Sequence, residues 1–351
     1  MTAFDFPEPR TPDPALAPSL RWGIAGPGWI GERFAESLQA HGTQRVVAVG
    51  SRSTDRAQAF ADRYGLVAHG GYGALAAADD VDIVYVATPH PAHLELALEA
   101  IAHGKHVLIE KPIGITAAQA DEIAAAARAR GVFAGEAMWT VYLPAFDVVR
   151  QVLDSGRLGR IEGVVADYGE FLPEDHRAYR PDLAGGPLMD LGIYLLALST
   201  HVLGGVRSAT AGAGYHGPEG ADGVHTHVSA VLEHDGGATS ALHTTLSGFT
   251  PSTFTITGSA ASLTIDGPFN SPAGLTVVTA DGERHRWEHP ALDQVAGLHY
   301  QAAAASRAIA DGRLETQEWP LEASRLALDA ADRLRSAAGI DFGPALGRPG
   351  R

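Results

Sequence analysis

The sequence predicts an α/β domain, a doubly wound parallel sheet, followed by an α+β domain with a large open, mainly antiparallel sheet. Three observations predict this. Gly26-Pro27-Gly28-Trp29-Ile30-Gly31 follows a strand-like run and opens a helix-like one, the context in which glycines make a tight turn and a close backbone approach. Up to about residue 140, short apolar runs alternate with helical patterns, as crossover-connected parallel strands require. Beyond it, Thr- and Gly-rich β segments lie close together with turn residues between them, which favours antiparallel pairing.

Each element follows from its residues. Residues 1–18 hold five prolines, Pro7, Pro9, Pro12, Pro14 and Pro18, so this arm is neither helix nor inner strand. It reads either as a disordered tail or as an extended arm on a neighbouring subunit. Domain 19–140 has strand-like runs at Leu20–Ala25, Arg45–Gly50, Val81–Ala87, His106–Glu110 and Val132–Gly135. Its helical patterns are Ile30–Ala40, Asp55–Tyr64, Ala92–Ala102 and Ala117–Ala129, the last with Thr116 and Gln119 as a capping box and Gly131 as a stop. Domain 141–351 opens with a helix at Leu143–Leu153, a strand at Ile161–Phe171 and a helix at Pro187–Val202. Strands are then expected at Ser208–Tyr215, Val224–His234, Thr239–Leu246, Ser252–Thr257, Ser262–Ile265 and Leu275–Thr279, with helices at Leu298–Ala310 and Leu321–Ala338. An open sheet has a face to cover, which favours a homodimer or homotetramer through it.

Composition narrows the function. The 351 residues suffice for two domains, and 45% hydrophobic content lets both bury cores. The absence of cysteine excludes disulfides, thiolate metal sites and a thiol nucleophile. A formal charge of −15 argues against nucleic acid. No apolar stretch reads as a membrane span, and Met1–Pro18 lacks a signal peptide's apolar core, so the expected setting is cytoplasmic.

The glycine motif, Gly26, Gly28, Trp29, Ile30 and Gly31, predicts a dinucleotide with its pyrophosphate on the helix N-terminus. The next strand ends at Ser51-Arg52-Ser53. No acid stands there for a ribose 2′-hydroxyl, whereas Ser51, Arg52 and Arg56 suit a 2′-phosphate; NADP is expected over NAD. Alternatively, the arginines are merely solvated, or Arg52 stacks on adenine. Thr88 and Pro89 end a further strand on the nicotinamide side, and His93 either bonds a ribose or lies at the surface. Glu110-Lys111-Pro112 ends the apolar run from His106. A charged pair at a sheet's ligand-binding edge is partnered or functional.

A second cluster runs from Gly185-Gly186-Pro187 through Asp190 to Tyr194. On a regular helix Asp190 and Tyr194 share a face. They form either a buried hydrogen-bonded pair or, with Lys111, a site in which the ammonium lowers the phenol's pKa so that it serves as a base. No metal is required; His225, His227 and His243 are the weak metal alternative.

These motifs, with Glu136-Ala137-Met138-Trp139-Thr140, resemble the glucose–fructose oxidoreductase / inositol dehydrogenase / rhizopine-catabolism (Gfo/Idh/MocA) family over residues 20–340. Tyr194, where many members carry His, resembles the branch with glucose–fructose oxidoreductase, xylose dehydrogenase and dimeric dihydrodiol dehydrogenase. The resemblance implies Lys111 and Tyr194 as catalytic, Asp190 beside them, and a sugar or cyclic polyol as substrate. Trp139, Tyr142, His176 and Arg177 are the candidate substrate contacts. The chain departs from the branch at Val141-Tyr142, where Arg-Phe is frequent, and at Pro187. Two other readings remain open: a tightly held cofactor recycled between two sugars or in a redox-assisted lyase or deglycosylation step, and a non-catalytic NADP-binding regulator.

Overall fold

The computed structural model describes residues 4–215, 223–271, 274–288 and 293–346. The first sheet comprises β1 (Arg21–Ala25), β2 (Arg45–Gly50), β3 (Val67–His69), β4 (Ile83–Val86), β5 (His106–Glu110) and β6 (Ala134–Ala137). All neighbours are parallel in the order β3-β2-β1-β4-β5-β6. The helices between them are α1 (Trp29–His41), α2 (Thr54–Tyr64), α3 (Tyr72–Ala76), α4 (His93–Ala102) and α5 (Ala117–Arg130). β1, β4 and β5 are almost wholly buried, as expected of inner parallel strands covered on both faces. The order reverses between β1 and β4, which opens the ligand crevice at their carboxyl ends.

The second sheet mixes one parallel pair into an antiparallel array. After α6 (Pro144–Asp154) come β7 (Ile161–Gly169), α7 (Ile193–Leu203), β8 (Val206–Gly214), β9 (His227–His234), β10 (Thr239–Thr245), β11 (Phe254–Gly258), β12 (Ala261–Ile265), β13 (Leu275–Thr279) and β14 (Arg284–Trp287). Their order is β14-β13-β12-β11-β7-β10-β9-β8, with β7 and β10 parallel. The strands alternate inward and outward; Val165 and Val231 lie on the outer face, half or more exposed. The chain closes with α8 (Val295–Ala310) and α9 (Leu321–Ala338). α8 returns to the first sheet, where Ser37 Oγ accepts His299 N–H at 3.0 Å.

Several expectations are corrected. The described residues of the proline-rich arm contact their own chain, with Phe4 and Ala17 buried and others, such as Leu16, exposed. Prolines lack N–H groups, so side chains serve the arm's carbonyls: Gln151 bonds Glu8 O at 2.9 Å and Arg157 bonds Asp5 O at 2.7 Å. Phe4 is buried beneath the Arg157 guanidinium, 3.7 Å from the ring centroid. The stretch Pro181–Leu203 does have the length and hydropathy of a membrane span, but 94% of its apolar window is buried inside the protein. It is not continuous α-helix either: Leu188–Gly192 is a π turn that leads into α7. β3, α3 and β14 are short elements with no sequence expectation.

Candidate active site

The glycine motif makes the turn its residues dictate. Gly26 has φ +112°, and a Cβ there would stand 2.7 Å from Ala87 O, so only glycine fits. A Cβ on Gly31 would stand 2.7 Å from Gly26 O, which explains the close helix–strand approach. Gly28 caps α1 without a side-chain hydrogen bond and faces open space, leaving first-turn N–H groups for an anion. Ile30 follows in the first turn, and Trp29 is largely exposed beside it.

At the end of β2, Ser51 is buried and its oxygen accepts Ser53 N–H at 3.2 Å. Ser53 Oγ in turn caps α2 by accepting Arg56 N–H at 3.3 Å. Arg52 is exposed and forms no hydrogen bond or ion pair among the described residues. Arg56 reaches back to the glycine turn, donating to Pro27 O at 3.2 Å. A nicotinamide dinucleotide fits this end of the sheet: the N–H groups of α1 would hold the pyrophosphate, with Arg52 and Arg56 beside the adenosine.

Around β4 and β5 the picture changes from the expected one. His93 is fully buried, so it is not a surface group. Its Nδ1 and Nε2 each lie 2.8 Å from a carbonyl, of Pro112 and Thr88 respectively. The neutral ring donates through one of these nitrogens, so it ties to either the Thr88-Pro89 loop or the cis Lys111-Pro112 peptide according to its tautomer. Burial pulls its pKa down to about 4, opposed by the two carbonyls. Glu110 also turns inward: it accepts from the Tyr85 hydroxyl, and from Lys111 N–H at 3.2 Å. Burial raises its pKa to about 7. Thr88 Oγ1 is buried with no partner among the described residues, facing the crevice end of β4.

Lys111 joins the two halves of the molecule. Its Nζ donates to Asp190 O at 2.7 Å, lies 3.8 Å from Asp190 Oδ1, and stands 4.7 Å from the centroid of the Tyr194 ring. The π turn explains the first contact, because a widened turn disturbs the helical ladder and lets a carbonyl face outward. The Asp190 carboxylate pairs with Arg177 at 2.8 Å, while the Tyr194 hydroxyl accepts Trp139 Nε1–H at 3.1 Å. Burial alone would raise the Asp190 pKa, but Arg177 and Lys111 hold it well below the carboxylate range. Burial lowers that of Lys111, opposed by Asp190 and Glu110.

Tyr194 corrects the expectation of a phenol made acidic by Lys111. Burial, reinforced by Glu110, pushes its pKa well above that of free tyrosine, and the Trp139 hydrogen bond only partly offsets this. Lys111 faces the ring, not the hydroxyl. The phenol is thus kept neutral, with its oxygen accepting from Trp139 and its own proton available.

Of the four candidate substrate contacts, Trp139, Arg177 and His176 gather near Asp190 and Tyr194. His176 Nδ1 accepts Ala178 N–H at 3.2 Å, capping the short turn that carries Arg177. Tyr142 is placed elsewhere: it is buried and its hydroxyl pairs with Thr316 Oγ1 at 2.9 Å. Sequence reasoning missed His90, buried beside Asp190, Arg177 and Lys111, whose Nδ1 has no partner among the described residues. It also missed Tyr168, 6.0 Å from Tyr194 between ring centroids, and Glu170, which accepts the Tyr168 hydroxyl at 2.9 Å. Period-2 alternation along β7 places Tyr168 and Glu170 on the inner face, but does not say which strand end meets the site. The histidine trio does not converge: His225 turns inward to accept Leu188 N–H at 3.3 Å, while His243 lies outward with Ser229. Among the described residues no group of three or more His, Asp or Glu could hold a metal. Gly186 has φ +111°, and a Cβ there would stand 2.1 Å from the His225 ring, so the position takes only glycine.

A parallel dinucleotide sheet whose crevice brings Lys111, at the end of β5, against Asp190 and Tyr194 of the helical segment that runs into α7 defines a nicotinamide-dependent oxidoreductase. Residues 20–137 match an oxidoreductase family with an NAD-binding Rossmann fold, and residues 146–264 match the GFO/IDH/MocA C-terminal domain. The chain belongs to the GFO/IDH/MocA family and is an NAD(P)-dependent oxidoreductase acting on hydroxyl donors. It is 34% identical over 334 residues to trans-1,2-dihydrobenzene-1,2-diol dehydrogenase of Bos taurus, covering 92% of this chain and 98% of that one. The Homo sapiens enzyme of that name is 32% identical over 333 residues, with the same coverage. Among solved structures, the 3-ketoreductase KijD10 of Actinomadura kijaniata, in complex with NADP and TDP-benzene, is 29% identical with a TM-score of 0.79. It covers 92% of this chain and 98% of its own. A levoglucosan dehydrogenase complexed with NADH and levoglucosan, at 19% identity and TM-score 0.83, shares the fold over 92% of this chain and 98% of its own.

Proposed function

We propose that the protein uses NADP to transfer a hydride between the nicotinamide and a hydroxyl or carbonyl carbon of a sugar or cyclic polyol. The observation that carries this reading is the Lys111 ammonium, held between Asp190 and the Tyr194 ring at the mouth of β5. The nicotinamide, when bound, supplies or accepts the hydride. Tyr194, a buried neutral phenol, delivers the proton to a carbonyl oxygen as it becomes a hydroxyl, and takes it back in oxidation. Lys111 steadies the developing oxyanion. Asp190, itself fixed by Arg177, holds Lys111 in place. The buried walls around Trp139, Tyr168 and Tyr194 keep water from the reacting atoms.

The choice of NADP rests on Arg52, whose guanidinium has no partner among the described residues and stands just past the end of β2, where no acid competes for the ribose. The NADP complex of the 3-ketoreductase KijD10 supports it, and the dihydrodiol dehydrogenase activity named for the relatives supports a ring that carries hydroxyls as substrate. The test is an absorbance screen at the nicotinamide band, with aldoses, cyclic polyols and aryl dihydrodiols against NADP and NAD. NADP reduction by a sugar or polyol is expected; no reduction of either cofactor by any hydroxyl donor would overturn the reading.

A further inference from the structure

The Asp190 carboxylate is buried between two cations, and it does not treat them alike. Its Oδ1 lies 2.8 Å from Arg177 Nη2 but 3.8 Å from Lys111 Nζ. Arg177 thus makes the charge-assisted hydrogen bond. Lys111 is held instead by the backbone carbonyl of Asp190, at 2.7 Å. An ammonium carries three N–H donors, and no other acceptor among the described residues takes those of Lys111.

The turn that presents Arg177 is anchored on several sides. Ala178 and Tyr179 are buried. The Tyr179 hydroxyl donates to Leu246 O at 3.2 Å, and His176 Nδ1 accepts Ala178 N–H. The glycine run closes on the same turn: Gly186 N–H donates to Ala178 O at 2.7 Å, and Gly185 N–H to Arg180 O at 3.1 Å. A Cβ on Gly185 would stand 2.6 Å from Ala178 O, so the missing side chain is what lets the turn dock there. The run then leads through Pro187 into the π turn that carries Asp190. Arg177 and Asp190 are therefore held together by backbone contacts as well as by their ion pair.

The competing arrangement lies close by. Without the guanidinium, Lys111 would be the neighbouring cation left for a carboxylate that is costly to bury unpaired. Closing the gap between them to an ordinary ion-pair hydrogen bond takes only about 1 Å. That bond would occupy a second ammonium hydrogen and spend on Asp190 the charge needed by a developing oxyanion.

We propose that Arg177 is a positioning residue: it draws the Asp190 carboxylate away from Lys111, so that the ammonium keeps a free N–H for the substrate oxygen. This rests on the oxidoreductase reading above and adds a residue to its machinery.

The experiment is a double-mutant cycle of Arg177→Gln with Asp190→Asn, with Arg177→Lys beside it, using the best polyol of the absorbance screen and NADP. NADPH affinity, read by its fluorescence, reports folding. Arg177→Gln should lower kcat about tenfold or more, with KM for the polyol within about threefold, and Arg177→Lys should recover most of the loss. In the Asp190→Asn background there is no carboxylate to withhold, so adding Arg177→Gln should cost less than about threefold. The alkaline limb of the kcat profile should move to higher pH in Arg177→Gln, because Lys111 loses a repelling cation and gains the carboxylate. Glu110, Glu170, His90 and Tyr194 also face Lys111, and they are the same in every variant. An unchanged kcat, an unmoved alkaline limb or a loss carried by KM alone in Arg177→Gln overturns the proposal, the last by making Arg177 a substrate contact. A loss of about tenfold in the Asp190→Asn background overturns it too, and that comparison decides alone if Arg177→Gln fails to bind NADPH. A wild type that oxidises no hydroxyl donor overturns the oxidoreductase reading and this inference with it.

Discussion

Replacing Tyr194 with phenylalanine removes one oxygen with two separable consequences. The first is chemical. Loss of a positioned proton donor lowers kcat by roughly 10²–10⁴. Because burial keeps the phenol neutral, the same factor should apply to carbonyl reduction at every pH between about 6 and 9. The second is structural. Trp139, 3% exposed, donates its indole N–H to that oxygen at 3.1 Å. In the variant this donor is buried without an acceptor, which costs about 1–3 kcal/mol of folding stability. The assay measures NADPH-dependent reduction of the keto product of the best polyol across that pH range, with urea unfolding of both proteins in parallel. A Tyr194→Phe rate within about threefold of wild type would refute the proton-donor role. A rate gap that closes as pH rises would show a phenol already ionised in the wild type, and would refute the argument from burial.

Lys111→Ala should retain NADPH binding within a few-fold, since its contacts run to Asp190 and Tyr194, yet lose roughly 10²–10⁴ in kcat; near wild-type turnover would remove it from the mechanism. Arg52→Asp should shift the ratio of NADP to NAD dissociation constants toward NAD by about tenfold or more, and a wild type that binds NAD as tightly as NADP would contradict the selector argument. Glu110 titrates at about 7 in the fold against an ordinary 4.5. Its folded state holds the proton more tightly, so its contribution is fully present below about pH 4.5 and lost as pH rises through about 7, by up to about 3 kcal/mol. Glu110→Gln should therefore gain stability relative to wild type over that window in chemical unfolding, and a difference that stays flat with pH would count against it.

What the sequence made legible is what local geometry demands. The glycine motif could be read because its turn and its helix–strand approach exclude any Cβ. Lys111 could be read because a charge at the end of an apolar strand must be partnered or used, and its partner proved to be Asp190. The partners of Asp190 and Tyr194 could not, because Arg177 and Trp139 reach them through the fold and not along the helix. His93 looked like a helix-start surface group, and only the fold shows that two carbonyls enclose it. His90 gave no signal, since its place beside Arg177, Asp190 and Lys111 comes from packing between distant segments. The short β3 and β14 lie at sheet edges, where partial exposure blurs the apolar pattern. The arm's prolines told what it could not form, not what would bind its carbonyls.

The central claim is direct hydride exchange between a polyol carbon and the nicotinamide, with Lys111 and Tyr194 managing the oxygen. It is tested most directly with the best polyol of the absorbance screen, carrying deuterium at the carbon to be oxidised, followed by mass spectrometry of the reduced cofactor. The account predicts that the NADPH formed carries the deuterium, at a rate that collapses in Tyr194→Phe and Lys111→Ala. Reduced cofactor free of deuterium, or labelling at undiminished rate in both variants, would contradict it.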